Sequence, residues 1–150
     1  MERNNSSGSK TAPWLETATV PTILVVDDAV SLRQTLAVSL ERAGYRVLQA
    51  GDGWEAIKQL QSNSSVKLVI CDIEMPNMNG FDFMNHRRQE AQLLKIPIVM
   101  LTSRSSDKHR RLAMHLGATA YFTKPYIEQG FLKAIKDILN QSSLKSISTR

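Results

Sequence analysis

Residues 66–80 read VKLVICDIEMPNMNG, and this stretch joins a strand pattern to a candidate functional carboxylate. An apolar run leads directly into Asp72, and a turn rich in Pro, Asn and Gly follows. A strand that is apolar on both faces is typical of the interior of a parallel sheet, and such sheets bind ligands at the carboxyl ends of their strands. The stretch therefore predicts a buried strand that presents Asp72 at a functional edge.

Three other apolar runs also end in polar side chains, which are Asp27 and Asp28, Thr102, and Lys124. Because parallel strands bring their carboxyl ends to one edge, we expect these side chains to lie beside Asp72. The predicted edge therefore contains three carboxylates, a hydroxyl and an amine.

Helical patterns alternate with the strand patterns. The residues predicted to face inward are Leu32, Leu36 and Leu40; Trp54, Ile57 and Leu60; Phe81, Met84 and Leu94; Leu112, Ala113 and Leu116; and Ile127, Phe131, Ile135 and Ile138. Five strand–helix units predict an α/β fold in which a doubly wound parallel sheet has helices on both faces.

The length and composition predict one folded domain. The chain has 150 residues, of which 42% are hydrophobic, and we assign residues 22–141 to the domain. Residues 1–21 are polar and are predicted to be a disordered arm or linker, and residues 142–150 a polar tail. The net charge of +5 lies partly in these ends, so we do not expect a nucleic-acid partner.

Neither a membrane span nor a disulfide framework is indicated. No apolar run approaches the length of a membrane span, and no hydrophobic signal segment opens the chain, so we predict a cytoplasmic protein without a membrane partner. The single cysteine, Cys71, lies within an apolar run and is predicted to be a small buried residue.

The predicted edge suits phosphoryl chemistry. Clustered carboxylates suit Mg²⁺, which prefers one or two carboxylates, water and phosphate oxygens. A lysine supplies a point charge for a phosphoryl group, and a threonine can donate a hydrogen bond to it. An aspartate can also act as a nucleophile and form an aspartyl-phosphate. The residue types alone therefore indicate a magnesium-dependent phosphoryl site.

Four motifs make the chain similar to a known family. These motifs are VVDD (25–28), CDIEMPNMNG (71–80), MLTS (100–103) and YFTKPY (121–126), each at the end of a predicted strand. In this order they resemble the CheY-like receiver domain of two-component response regulators over nearly all of residues 22–141. The resemblance implies a flavodoxin-like (βα)5 sandwich with strand order 2-1-3-4-5.

The resemblance also implies roles for individual residues. Asp72 would be the phosphoacceptor, and Asp28 and Asp72 would bind Mg²⁺ with assistance from Asp27 through water. The backbone carbonyl of Glu74 would complete the metal site.

Three further residues would respond to the phosphoryl group. Thr102 and Lys124 would hold its oxygens, and Tyr121 would be the switch aromatic that turns inward when Thr102 moves. The signal would appear on the face formed by the fourth helix, the fifth strand and the fifth helix.

The implied partners are a histidine kinase and a downstream protein effector. Only nine residues follow Gln141, so we expect no DNA-binding output domain. The motif DIEMP and residues 102–135 also resemble receivers fused to chemotaxis-type hybrid histidine kinases. Residues 1–21 would then be a linker from a kinase, although a free-standing receiver fits the sequence equally well.

Each candidate residue also has a purely structural interpretation. Asp28 could cap a helix, Thr102 and Lys124 could form turns, and Tyr121 could be packing. The whole domain could be a phosphorylation-independent pseudo-receiver, but such domains typically lack one of these polar residues. A phosphatase with an Asp nucleophile is disfavoured, because its two carboxylates usually lie two residues apart after the first strand.

Glu74 and Arg104 lie two residues beyond Asp72 and Thr102. Their opposite charges could pair at the rim of the site and obstruct or orient an attacking water. We therefore predict that they tune dephosphorylation.

Overall fold

The computed structural model describes the backbone of residues 20–148 and the side chains of residues 20–143. The predicted arm is outside this range except for Val20 and Pro21. Five strands alternate with helices, and the strands are β1 (Thr22–Val26), β2 (Arg46–Ala50), β3 (Val66–Cys71), β4 (Ile98–Thr102) and β5 (Ala120–Thr123). The helices are α1 (Val30–Arg42), α2 (Gly53–Ser62), α3 (Gly80–Arg87), α4 (Asp107–His115) and α5 (Glu128–Ser148). A four-residue helix, Ala91–Leu94, lies between α3 and β4.

The strands form one parallel sheet in the order β2-β1-β3-β4-β5, which confirms the predicted fold and strand order. The central pair determines the position of the site. Val26 and Cys71 are register partners on β1 and β3, so Asp27 and Asp72 follow them side by side. Thr102 and Thr123 are partners on β4 and β5, so Lys124 emerges at the same edge.

Two apolar clusters cover the two faces of the sheet. One joins residues of β1, β3 and β4 to α2 and α3, with Phe83 and Met84 fully buried. The other joins the alternate residues of the same strands to α1 and α5, with Leu40 and Phe131 fully buried. Strands that bury both faces explain the continuous apolar runs of the sequence.

Some residues predicted to face inward are instead exposed; they are Leu32, Trp54, Leu94, Leu112 and Ile127. The helix α3 ends at Arg87 and a separate short helix begins at Ala91, so the periodicity breaks and Leu93 is buried instead of Leu94. Ile127 precedes α5 and therefore does not share its apolar stripe; it is 81% exposed.

The remaining exceptions lie within helices. Leu32 and Trp54 are in the first turns of α1 and α2, and Leu112 is about 100° around α4 from the buried Ala113. The helix that carries Phe131 and Ile135 begins at Glu128, and its backbone is helical to Ser148. None of the helices in the described part of the chain is long and apolar enough to span a membrane.

Candidate functional site

Three carboxylates converge at the carboxyl edge of the sheet. Asp27, Asp28 and Asp72 each place a carboxylate oxygen within 4.8 Å of the others. Asp27 and Asp72 are buried, whereas Asp28 is exposed. The main chain aligns the two buried residues, since the Asp72 N–H donates to the carbonyl of Val26 at 3.0 Å and the Asp27 N–H to that of Ala50 at 3.1 Å.

Asp27 is restrained at both carboxylate oxygens. Its Oδ1 accepts a hydrogen bond from the Ala29 N–H at 2.9 Å, and its Oδ2 accepts one from Lys124 Nζ at 2.7 Å. The residue at the N-cap of α1 is Ala29, with no side-chain cap bond. The alternative in which Asp28 serves as the cap of this helix is therefore wrong.

Asp72 is restrained by its own turn. Its Oδ1 accepts from the Ile73 N–H at 2.6 Å, and its Oδ2 lies 3.3 Å from Lys124 Nζ. The turn closes tightly, because the Gly80 N–H donates to the Ile73 carbonyl at 2.8 Å. A Cβ at Gly80 would lie 2.3 Å from the Asp72 carbonyl oxygen, so only glycine fits there.

Lys124 bridges the two buried carboxylates and follows β5 through a cis Lys124–Pro125 bond. Burial alone would lower its pKa, but the hydrogen bond to Asp27 and the charges of Asp72 and Asp27 outweigh burial, and the pKa is raised. The lysine is therefore a cation at neutral pH. It is a suitable partner for an anionic phosphoryl oxygen.

Thr102 and Tyr121 are linked through the main chain of Arg104. Thr102 is fully buried, and its Oγ1 accepts from the Arg104 N–H at 3.2 Å. The Tyr121 hydroxyl donates to the Arg104 carbonyl at 2.6 Å. The guanidinium of Arg110 lies 4.7 Å from the centre of the Tyr121 ring. The tyrosine is buried, and its ring contacts Arg110 of α4.

The side chains of Glu74 and Arg104 contact each other at the rim of the site. Both are about half exposed, at 53% and 47%. An open groove beside them is lined by residues of the β3–α3 turn, α3 and α4, including Met75, Phe81 and His109. The ring of His109 stacks on Phe81 at 6.1 Å between centres. The groove is also lined by Asp28, so the Glu74–Arg104 ion pair lies at the entrance to the carboxylates.

The donor set fits a hard divalent cation. Three carboxylates in close proximity repel one another, and among the described residues Lys124 is the cation in contact with them. Its ammonium forms salt bridges to Asp27 and Asp72 and, within the described residues, none to Asp28. Mg²⁺ prefers oxygen ligands and retains some of its water, and the exposed carboxylate of Asp28 leaves room for water. The negative charge that Lys124 leaves unbalanced would also favour a divalent cation.

Three arginines with defined contacts were not found from the sequence. Arg33 contacts the main chain of Asp27, Arg110 covers Tyr121, and Arg87 is buried at the opposite edge of the sheet. Arginine in an amphipathic helix is usually a surface residue, so periodicity gave no signal for them. The one sequence signal that could have pointed to Arg33 is its position on the turn of α1 nearest the site.

Five parallel strands in the order 2-1-3-4-5, with an acidic cluster and a lysine at the carboxyl edge, are the arrangement of receiver domains, a class of signalling domain. The chain belongs to the response regulator receiver domain family, whose model matches residues 23–136. Receiver domains bind Mg²⁺ at an acidic cluster, and they act with histidine kinases and effectors rather than as conventional enzymes.

Individual relatives support the same assignment. The chain is 36% identical over 127 residues to the alkaline phosphatase synthesis transcriptional regulatory protein PhoP of Bacillus subtilis, covering 85% of the chain but 52% of that protein. The chain thus spans about half the length of this relative. It is 34% identical over 118 residues to the chemotaxis protein CheY1 of Helicobacter pylori, covering 78% of the chain and 95% of CheY1.

A solved structure has the same fold. The chemotaxis protein CheY4 of Vibrio cholerae superposes with a TM-score of 0.74 at 34% identity, covering 79% of this chain and 98% of that chain. The CheY-like character of the domain is confirmed.

Proposed function

We propose that this domain accepts a phosphoryl group on Asp72 from a histidine kinase and passes on the signal by a conformational change. One observation supports the proposal above others: Lys124 contacts both Asp27 and Asp72, so a cation and the acidic cluster surround one carboxylate. A cation and two further carboxylates would then lie beside the carboxylate that is to be phosphorylated. Phosphoryl transfer depends mainly on such positioning and charge neutralisation.

Asp28, Asp72 and the Glu74 carbonyl would hold Mg²⁺, with Asp27 acting through water. When bound, the metal would neutralise charge on the phosphoryl oxygens. The three carboxylates lie close enough to share one cation.

In the transfer step, a carboxylate oxygen of Asp72 attacks the phosphorus of a phosphohistidine. The new O–P bond forms as the N–P bond breaks, and the imidazole nitrogen leaves with the electron pair. The Lys124 ammonium, which now contacts Asp72 Oδ2, would bind a phosphoryl oxygen instead. The Thr102 hydroxyl, which now accepts from the Arg104 N–H, would donate to another.

The switch would follow from the movement of Thr102. Its hydroxyl and the Tyr121 hydroxyl bind opposite ends of Arg104, so a shift of Thr102 would displace the main chain that holds Tyr121. The face of α4, β5 and α5 would change with it and alter the affinity for a protein effector. The charged run 108–111 lies on this face.

The experiment is the intact mass of the protein after incubation with acetyl phosphate, with and without Mg²⁺. We expect one phosphoryl adduct that requires Mg²⁺ and is absent from Asp72→Ala. Asp82→Ala is a matched control, because Asp82 is an exposed aspartate in the first turn of α3.

An adduct on the Asp72→Ala protein, or one that forms equally with a chelator, would refute the proposal. No adduct on the folded wild type with either acetyl phosphate or a panel of phosphorylated histidine kinases would favour the pseudo-receiver.

A further inference from the structure

One member of the acidic cluster has no direct restraint. The hydrogen bonds that the described residues make to the cluster reach the carboxylates of Asp27 and Asp72, and none reaches that of Asp28. Asp28 is also exposed, so packing does not hold its side chain. Its direction therefore depends on the main chain from which it departs.

That main chain is held by an arginine of α1. Arg33 Nη1 donates to the Asp27 carbonyl oxygen at 2.6 Å. This oxygen belongs to the peptide unit that joins Asp27 to Asp28, and peptide units are planar. A hydrogen bond to it thus constrains the plane that leads into Asp28.

Arg33 is itself oriented by a second strand. Its Nε donates to Oε1 of Gln49 on β2 at 3.0 Å, and Gln59 on α2 donates to the Gln49 carbonyl at 3.2 Å. No salt bridge within the described residues involves Arg33. The planar fork of the guanidinium donates two hydrogen bonds to neutral groups in one fixed geometry, which a rotatable ammonium does not impose.

We infer that Arg33 is a positioning residue for Mg²⁺: it fixes the Asp27–Asp28 peptide and so keeps the Asp28 carboxylate beside those of Asp27 and Asp72, where it would bind the metal, and Gln49 fixes Arg33. The inference rests on the proposed function, because it concerns the same metal site. If Arg33 acted through its charge alone, removing it would strengthen Mg²⁺ binding, since a cation near the carboxylates repels Mg²⁺. Removing Arg33 therefore distinguishes orientation from charge by the sign of the change.

The experiment is calorimetric titration of the unphosphorylated full chain with MgCl₂. We expect Arg33→Met to weaken Mg²⁺ binding about tenfold, which is the lower end of the loss in metal affinity seen when a group that orients metal ligands is removed. Gln49→Leu should weaken binding about two- to threefold, because Arg33 remains but loses its support. Arg33→Lys should fall between wild type and Arg33→Met, since lysine keeps the charge but lacks the planar fork that holds both acceptors in one geometry.

The matched control is Arg46→Met, which removes one exposed arginine at the start of β2, away from the carboxyl edge. It should bind Mg²⁺ as the wild type does. A second measurement separates positioning from general damage: for Arg33→Met, the Mg²⁺ concentration giving half-maximal phosphorylation by acetyl phosphate should rise, while the rate at saturating Mg²⁺ stays within about twofold.

The outcomes separate the two proposals. Wild type that binds Mg²⁺, with a folded Arg33→Met that binds it equally or more tightly, overturns the role of Arg33 alone. Should Arg33→Met fail to fold, unchanged affinity in both Arg33→Lys and Gln49→Leu has the same meaning. Wild type that binds no Mg²⁺ overturns both the metal site and this inference.

Discussion

Two cations lie at opposite edges of the sheet, and their surroundings differ. Lys124 faces the carboxylates of Asp27 and Asp72 at the carboxyl edge, and its pKa is raised. Arg87, at the end of α3, is 4% exposed, and burial lowers its pKa. Its Nη2 donates to the carbonyls of Leu94 at 3.0 Å and Ile96 at 2.8 Å, while Nε and Nη1 have no partner among the described residues.

The difference shows two uses of a positive charge that is shielded from solvent, partly at Lys124 and almost completely at Arg87. At the carboxyl edge the charge balances anions and is available to a phosphoryl group. At the opposite edge it satisfies carbonyls left between a short helix and β4, which would otherwise lack donors. We therefore expect the loss of Lys124 to affect chemistry and the loss of Arg87 to affect stability.

The largest effect is expected from Lys124→Met. Phosphorylation of Asp72 by acetyl phosphate should slow by about 100-fold or more, as for removal of one preorganised group that stabilises developing charge. Mg²⁺ binding should not weaken, because a repelling cation is lost. Rates from stopped-flow measurements and affinities from calorimetry test this, and weaker Mg²⁺ binding with a normal rate would reverse the assignment.

Arg87→Ala should lower the free energy of unfolding by about 2–3 kcal/mol, because two hydrogen bonds from a charged donor are lost and a cavity remains. Arg87→Met should cost less, since it fills the volume without burying a charge. Urea denaturation measures both. The phosphorylation rate should remain within about twofold of wild type, and its loss without a change in stability would contradict the comparison.

An exposed ion pair provides an intermediate case. We expect the exchange Glu74→Arg with Arg104→Glu to change the lifetime of the phosphorylated state severalfold without abolishing phosphorylation, since the pair lies at the rim of the site. Stability should change by less than about 1 kcal/mol, as for exposed pairs. The matched control exchanges Lys133 and Asp137, an exposed pair on α5. Dephosphorylation of the Glu74/Arg104 exchange at the wild-type rate would refute this role.

The smallest effect is expected in the alkaline range. The pKa of Lys124 is raised above its usual 10.5, so its contribution to stability is fully present below pH 10.5 and is lost as the pH rises through the higher folded-state value. The difference in unfolding free energy between wild type and Lys124→Met should therefore decrease at high pH. Urea titrations between about pH 9 and pH 11.5 measure it, and a difference that grows with pH would show the wrong sign.

The carboxyl edge could be predicted from the sequence because its residues follow strands directly. Once the strands at Val26, Cys71, Leu101 and Thr123 are parallel, Asp27, Asp72, Thr102 and Lys124 must share an edge. Arg87 was not predictable, since its burial depends on where α3 stops and a second helix starts. Arg33 and Arg110 likewise depend on side-chain reach between elements, which periodicity does not encode.

The close approach of Gly80 to the Asp72 carbonyl divides the edge of the sheet into a fixed side and a movable side. On the fixed side, the β3–α3 turn has no space for Asp72 to move relative to the start of α3. On the other side, the main chain of Arg104 is held by one hydrogen bond at its N–H and one at its carbonyl. A displacement that begins at Asp72 would therefore meet less resistance toward α4 and β5 than toward α3.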